Sequence, residues 1–215
     1  MAKKGLPTPF PKPHGNLEIE RKTLDAGMHL FRLHPSLYQG NGFNNTLNGD
    51  ARFSPIGNSV TQRVIPTLYA GESTAVAICE VLFHDVDVSQ SKIVFAQKNL
   101  IDKSHSELIL QQDLVVARID HTSVVKMRAG KKLIHCEADE YAFTREWAEH
   151  IYQQHADIQG LEWPSRQHQG NAWVFFGDRI QHGALAIVDT RAVIHDRKTL
   201  EILLRLAARM NIVID

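Results

Sequence analysis

The chain has no excess of either charge: among its 215 residues, 24 Lys and Arg stand against 24 Asp and Glu. A Lys/Arg surplus is what gives sequence-independent attraction to nucleic acid or to an anionic lipid surface, so neither is expected as a direct partner. No apolar run approaches the ~18 residues that a membrane-spanning helix needs. The start, Met1-Ala-Lys-Lys, is not followed by the apolar stretch of a secretory signal. Cysteine is scarce, and Cys79 and Cys136 show no CxxC spacing, so reduced thiols and a cytoplasmic setting are expected. A P-loop, a GxGxxG after a strand, a Gly-x-Ser-x-Gly elbow and an HExxH pair are all missing. The common phosphate cradles, the serine-hydrolase turn and the zincin helix are thereby disfavoured.

What is plentiful is histidine, with 12 residues. Spacing argues against a metal centre. His150 and His155 are five apart and fall on different helix faces, and the neighbours His135 and Cys136 are too close to share one ion. His84 lies four residues after Glu80, where one turn of helix makes neighbours. It also suits a helix C-terminal cap. A metal-dependent hydrolase is kept as an alternative class, with no metal ligands assigned.

Four of the eight prolines alternate between Pro7 and Pro13, which favours an extended segment and excludes a helix. Residues 1–26 therefore read as a proline-rich arm and 27–215 as a single α+β domain. Strands are expected at Met28–Leu33, at Val64–Ala70 interrupted by Pro66, at Ile93–Ala96, Leu114–Ile119 and Val124–Met127, and at Ile158–Trp163, Ala172–Phe176 and Leu185–Val188. Helices are expected at Ser73–Phe83, Glu137–His155 and Lys198–Met210. The apolar face of the last fits either the chain's own core or a partner. Residues 35–62, rich in Gly, Asn and Ser, read as a long functional or flexible loop.

Within the helix at 73–83 Glu80 is the only charged side chain. A carboxylate there lies on a thin exposed stripe, joins a structural ion pair, or is a desolvated acid poised for chemistry. Arg32 and Arg52 flank the long loop, and each offers a planar fork of donors to a phosphate or carboxylate. Arg52, in Gly49-Asp-Ala-Arg-Phe-Ser-Pro, is expected at the edge of a polar turn. Tyr69 ends a strand and reads equally as a core residue. Ser165 follows Trp163-Pro164, where a turn hydroxyl bonding to backbone is the plain reading.

Taken together, these segments resemble the RES domain family, named for its arginine, glutamate and serine and found largely in bacterial toxin–antitoxin modules. The resemblance runs from about Phe31 to Ile187 and rests on Phe31-Arg32-Leu33, on Asp50-Ala-Arg52-Phe53-Ser54-Pro55, on Leu68-Tyr69-Ala70 leading to Glu80-Val81-Leu82, and on Gly160-Leu-Glu-Trp-Pro-Ser165 before Val174-Phe175-Phe176. Ala51 stands where the family has glycine, Ser54 where asparagine is common, and Ile56–Ile65 is inserted. The resemblance implies an ADP-ribosyltransferase-like fold. It also implies cleavage of the nicotinamide–ribose bond of NAD, consumed as a substrate and not recycled as a cofactor. Glu80, Arg52, Tyr69 and Ser165 would be catalytic, and Arg32, Arg52, Tyr69 and Ser165 would contact NAD. Glu80 would face the cationic ribose, Arg32 and Arg52 the diphosphate or adjacent ribose, and Tyr69 the nicotinamide. The acceptor, whether water, phosphate or protein, stays open. The implied partner is an Xre-type DNA-binding antitoxin, with a homodimer possible inside the complex. A RES-like binding module without catalysis is the other class to weigh.

Overall fold

The computed structural model describes residues 10–84 and 93–215. Its strands are β1 (Glu20–Leu24), β2 (His29–Pro35), β3 (Ile56–Asn58), β4 (Arg63–Ile65), β5 (Thr67–Gly71), β6 (Ile93–Phe95), β7 (Lys103–Leu110), β8 (Leu114–Arg118), β9 (Gly160–Pro164), β10 (Asn171–Phe176), β11 (Leu185–Ala192) and β12 (Ile212–Ile214). Its helices are α1 (Thr74–Leu82), α2 (Ser123–Lys126), α3 (Lys132–His135), α4 (Tyr141–Gln154) and α5 (Arg197–Arg209). Eight strands make one sheet in the order β1-β8-β9-β10-β5-β2-β7-β11, antiparallel at every junction except β8–β9. Strands and helices do not alternate strictly, and the fold is α+β.

The junction between β5 and β2 rests on the single pair Phe31↔Gly71, so the sheet is nearly split into a five-stranded part and a three-stranded part. Helix α1 leaves β5 at that seam and packs on both strands. The Ser73 hydroxyl caps it by accepting the Val76 N–H at 3.2 Å. Val76, Ala77, Ile78 and Cys79 are all buried, since the sheet lies on one side and Leu203, Leu206 and Ala207 of α5 on another. The apolar face of α5 is thus used on the chain's own core. Burial pushes the Cys79 thiol up to about 12.

β10 shows why a strand can read as an unbroken apolar run. Val174 and Phe176 join one core with Phe53, Trp147 and Trp163, while Trp173 and Phe175 join another with Leu30, Leu68 and Leu108. Both faces are covered.

Several expectations change. Residues 20–24, assigned above to the arm, form β1 and pair with β8 from Glu20↔Arg118 to Leu24↔Leu114. Phe10, Leu17 and Ile19 lie in the core; residues 1–9 of that arm are outside the described residues. The physical reason is β1's Lys22, which donates to the buried Glu162 carboxylate at 2.8 Å. The strand expected at Val124–Met127 is the short helix α2, because the Asp120 carboxylate accepts the N–H groups of Thr122 and Ser123 and turns the chain. The inserted residues 56–65 form the hairpin β3–β4, which packs on α4.

Candidate functional site

The loop before β3 is turned inward. Ala51 and Ser54 exchange backbone hydrogen bonds at 2.9 and 3.4 Å, which places Arg52 and Phe53 at a tight tip. Phe53 is fully buried against Trp163, with ring centroids 5.0 Å apart. Its N–H donates to the Tyr69 hydroxyl at 2.8 Å. Arg52 is therefore only 5% exposed, and not at a polar loop edge as expected. Its Nη1 donates to the Ile134 carbonyl and approaches the Cys136 sulfur at 3.5 Å, while its guanidinium sits 5.7 Å from the Tyr141 ring centre. Nε finds no hydrogen-bond partner among the described residues. The Thr144 hydroxyl holds the Arg52 carbonyl. No carboxylate forms an ion pair with this guanidinium among the described residues, though its charge helps to lower Glu137.

Arg52, Tyr69 and Glu80 line one cavity of about 210 Å³, together with Asp50, His84, Tyr141 and Arg166. Three separate elements converge there: the 50–54 loop, the end of β5 and the middle of α1. Glu80 is half-buried and makes no hydrogen bond or ion pair among the described residues. Among the described residues its carboxylate is not consumed by a structural pair. Tyr69 stands edge-on to Trp163 at 5.5 Å, and burial raises its phenol well above the ordinary range. Kept neutral, it accepts the loop's N–H and also forms the cavity wall. His84, just beyond the C-terminal end of α1, shares the cavity with Glu80.

Ser165 is placed differently. Its N–H donates to the Gly170 carbonyl at 3.0 Å, and its hydroxyl is out of solvent with no partner among the described residues. It lines a second cavity of about 670 Å³ on the far side of the same loop. Arg166 and Gln167 line both cavities. Arg166 was not picked out from sequence, although it directly follows the Trp-Pro-Ser motif. It donates to the Cys136 carbonyl at 2.6 Å and grips Glu137 with two bonds at 2.8 and 3.2 Å. Burial opposes its charge, but Glu137 more than compensates and its pKa rises; Glu137 is correspondingly lowered. Burial raises the Cys136 thiol between the two arginines.

Arg32 does not line either cavity. Its Nη1 donates to the carbonyls of Gly40 and Gly42 at 2.9 and 2.7 Å, and removal from solvent pushes the guanidinium down to about 10. The side chain that was expected to meet substrate is spent on closing a loop. Among the described residues no group of three or more His, Cys, Asp or Glu is placed to hold a metal ion.

The RES domain family matches residues 29–196. The chain belongs to that family. The RES segment covers the seam, α1, the inward loop and the Trp-Pro-Ser strand, but not β1 or α5. Among solved structures, the MbcT toxin of the M. tuberculosis MbcT–MbcA toxin–antitoxin complex matches with a TM-score of 0.60 at 15% identity, over 79% of this chain and 85% of that one. At that identity the likeness is one of fold. No curated protein matches the chain. Among the described residues no helix is long and apolar enough to cross a membrane.

Proposed function

We propose that this RES protein is a toxin that consumes NAD by cleaving its nicotinamide–ribose bond. The observation that carries this reading is the meeting in one cavity of Glu80 and Arg52, neither of which has an oppositely charged partner among the described residues. Cleavage breaks the bond between ribose C1′ and the pyridinium nitrogen. Its electron pair leaves with nicotinamide, and positive charge grows on the ribose. A fixed carboxylate at that point stabilises the developing cation without having to reorganise. The Glu80 carboxylate takes this part, Arg52 and Arg166 hold the anionic portion, and Tyr69 packs against the departing ring while its hydroxyl fixes the loop. The ribose cation is then captured by water, phosphate or a protein nucleophile, giving glycohydrolase, phosphorylase or ADP-ribosyltransferase chemistry.

An antitoxin that covers this opening would restrain the activity, and the RES family and the MbcT fold support such a partner. Net charge of zero suits a division of labour in which a DNA-binding antitoxin of the Xre type, and not this chain, contacts nucleic acid. Purified protein incubated with NAD, with and without phosphate, should release nicotinamide, and expression should arrest bacterial growth. No release in either buffer combined with harmless expression would leave the alternative, a RES-like binding module without catalysis.

A further inference from the structure

The cavity that holds Glu80 is small. At about 210 Å³ it falls below the ~300–1,000 Å³ of clefts that enclose a drug-sized ligand, and a dinucleotide is larger than most drugs. It accommodates one end of such a molecule. Its lining sets Asp50 and Glu80 against Arg52 and Arg166, so it has no excess of positive side chains.

The second cavity, about 670 Å³, has the opposite character. No acidic side chain lines it, while Arg166, His168 and Arg209 do. Arg209 stands in the last turn of α5, exposed and without an ion pair among the described residues. Leu206 and Met210, from the same helix end, add an apolar floor. The loop between the cavities is anchored at its base. Ser165 N–H meets the Gly170 carbonyl, and the next amide, Asn171, donates to Glu72 at 2.7 Å. Since Arg166 and Gln167 belong to both linings, one ligand can cross that loop and occupy both.

Arg166 is already held by Glu137 at 2.8 and 3.2 Å, which leaves Arg209 as the lining arginine without an ion pair among the described residues. We infer that the second cavity is the site for the phosphate-bearing nucleoside half of the dinucleotide, with Arg209 binding its phosphate and Leu206 and Met210 under the base. This rests on the NAD reading above and extends it to residues that the RES segment does not include, since α5 begins after residue 196. It gives this chain a specificity element of its own: a guanidinium supplied by the C-terminal helix.

ADP-ribose, inorganic phosphate and NAD serve as probes for calorimetry and steady-state kinetics on the full chain and on Arg209→Ala and Arg209→Lys. The expected result is a Kd for ADP-ribose and a KM for NAD raised about tenfold by the alanine, the size of one charge-assisted phosphate contact, with partial recovery in the lysine. The loss should fall on KM and not on kcat, as for a contact equally present before and during cleavage. Unchanged ADP-ribose affinity in Arg209→Ala, or Arg209-dependent binding of inorganic phosphate without ADP-ribose, overturns the inference. NAD cleavage with an unaltered KM in the variant refutes the site while leaving the reaction intact. Arg209-dependent ADP-ribose binding by a protein that cleaves no NAD upholds the site and refutes the reaction.

Discussion

The two sides of the sheet's seam each contain an arginine with no carboxylate partner among the described residues, one half-buried and one buried, and they use it in opposite ways. On the three-stranded side, Arg32 of β2 closes on the Gly40 and Gly42 carbonyls. It is surrounded by a neutral network in which His34 bonds Ser106 at 2.8 Å and Ser106 bonds Thr190 at 2.7 Å. On the five-stranded side, Arg52 also gives a bond to a carbonyl, yet faces a cavity that contains Glu80. A guanidinium that bridges two backbone carbonyls organises a loop. One that keeps an unmet donor beside an unpaired acid is arranged for a ligand. Burial alone does not tell these apart; what faces the group does.

The sharpest way to break this contrast is Glu80→Gln. Removing the charge while keeping the shape should lower nicotinamide release by about 10²-fold or more, the scale of losing one preorganised electrostatic stabiliser. The melting temperature should hold. Retained turnover would show that another acid does the work. Arg52→Lys comes next: the lost fork should cost about tenfold or more in kcat/KM, with some destabilisation because the Ile134 carbonyl loses its donor. Arg32→Ala should move stability and leave the chemistry alone. Leaving two carbonyls without a charged donor costs about 1–3 kcal/mol, readable as a shift in the urea midpoint. If instead KM for NAD rises while stability stays put, the two arginines have been assigned the wrong way round. Tyr69→Phe should lose about 1 kcal/mol through the Phe53 N–H it leaves unmet.

The smallest effect concerns pH on the Arg32 side. Burial, with Arg32 and His105 adding their repulsion against the help of the Pro35 carbonyl, lowers the His34 pKa. The folded chain keeps this ring neutral where the unfolded chain takes up a proton, below about pH 6.5. The stability it contributes is therefore full above that pH and declines as pH falls. Melting curves from about pH 7.5 down to 5.5 should show a slope that His34→Gln flattens. An identical slope in the variant would place its source elsewhere.

Legibility from sequence followed the same division. Helix α1 and the lone Glu80 were readable because apolar spacing is a local signal. The interruption of β4 and β5 at Pro66 was readable for the same reason. Strand β7 was not. Its buried positions alternate correctly, but two of them, Ser104 and Ser106, are serines whose hydroxyls are satisfied by Ser36, His34 and Thr190 from other segments. A polar residue satisfied at long range looks like loop when read locally. The inward turn of Arg52 was hidden likewise, since it depends on Phe53 packing against Trp163 more than a hundred residues away. Arg166 needed only a step beyond the serine, but its place between two cavities is a property of the fold.

The pairing of Lys22 with Glu162 carries one more consequence. Glu162 is 1% exposed and also accepts the Trp173 indole N–H at 2.9 Å; it lies on the strand that leads into Ser165 and Arg166. Deleting the chain up to residue 26 would strip the lysine from that carboxylate and bare the outer edge of β8. A trimmed version spanning only the shared family segment would carry every candidate catalytic side chain, yet leave the buried carboxylate on the strand beneath them to the more distant Arg118 at 3.8 Å, with a fresh sheet edge exposed to aggregation.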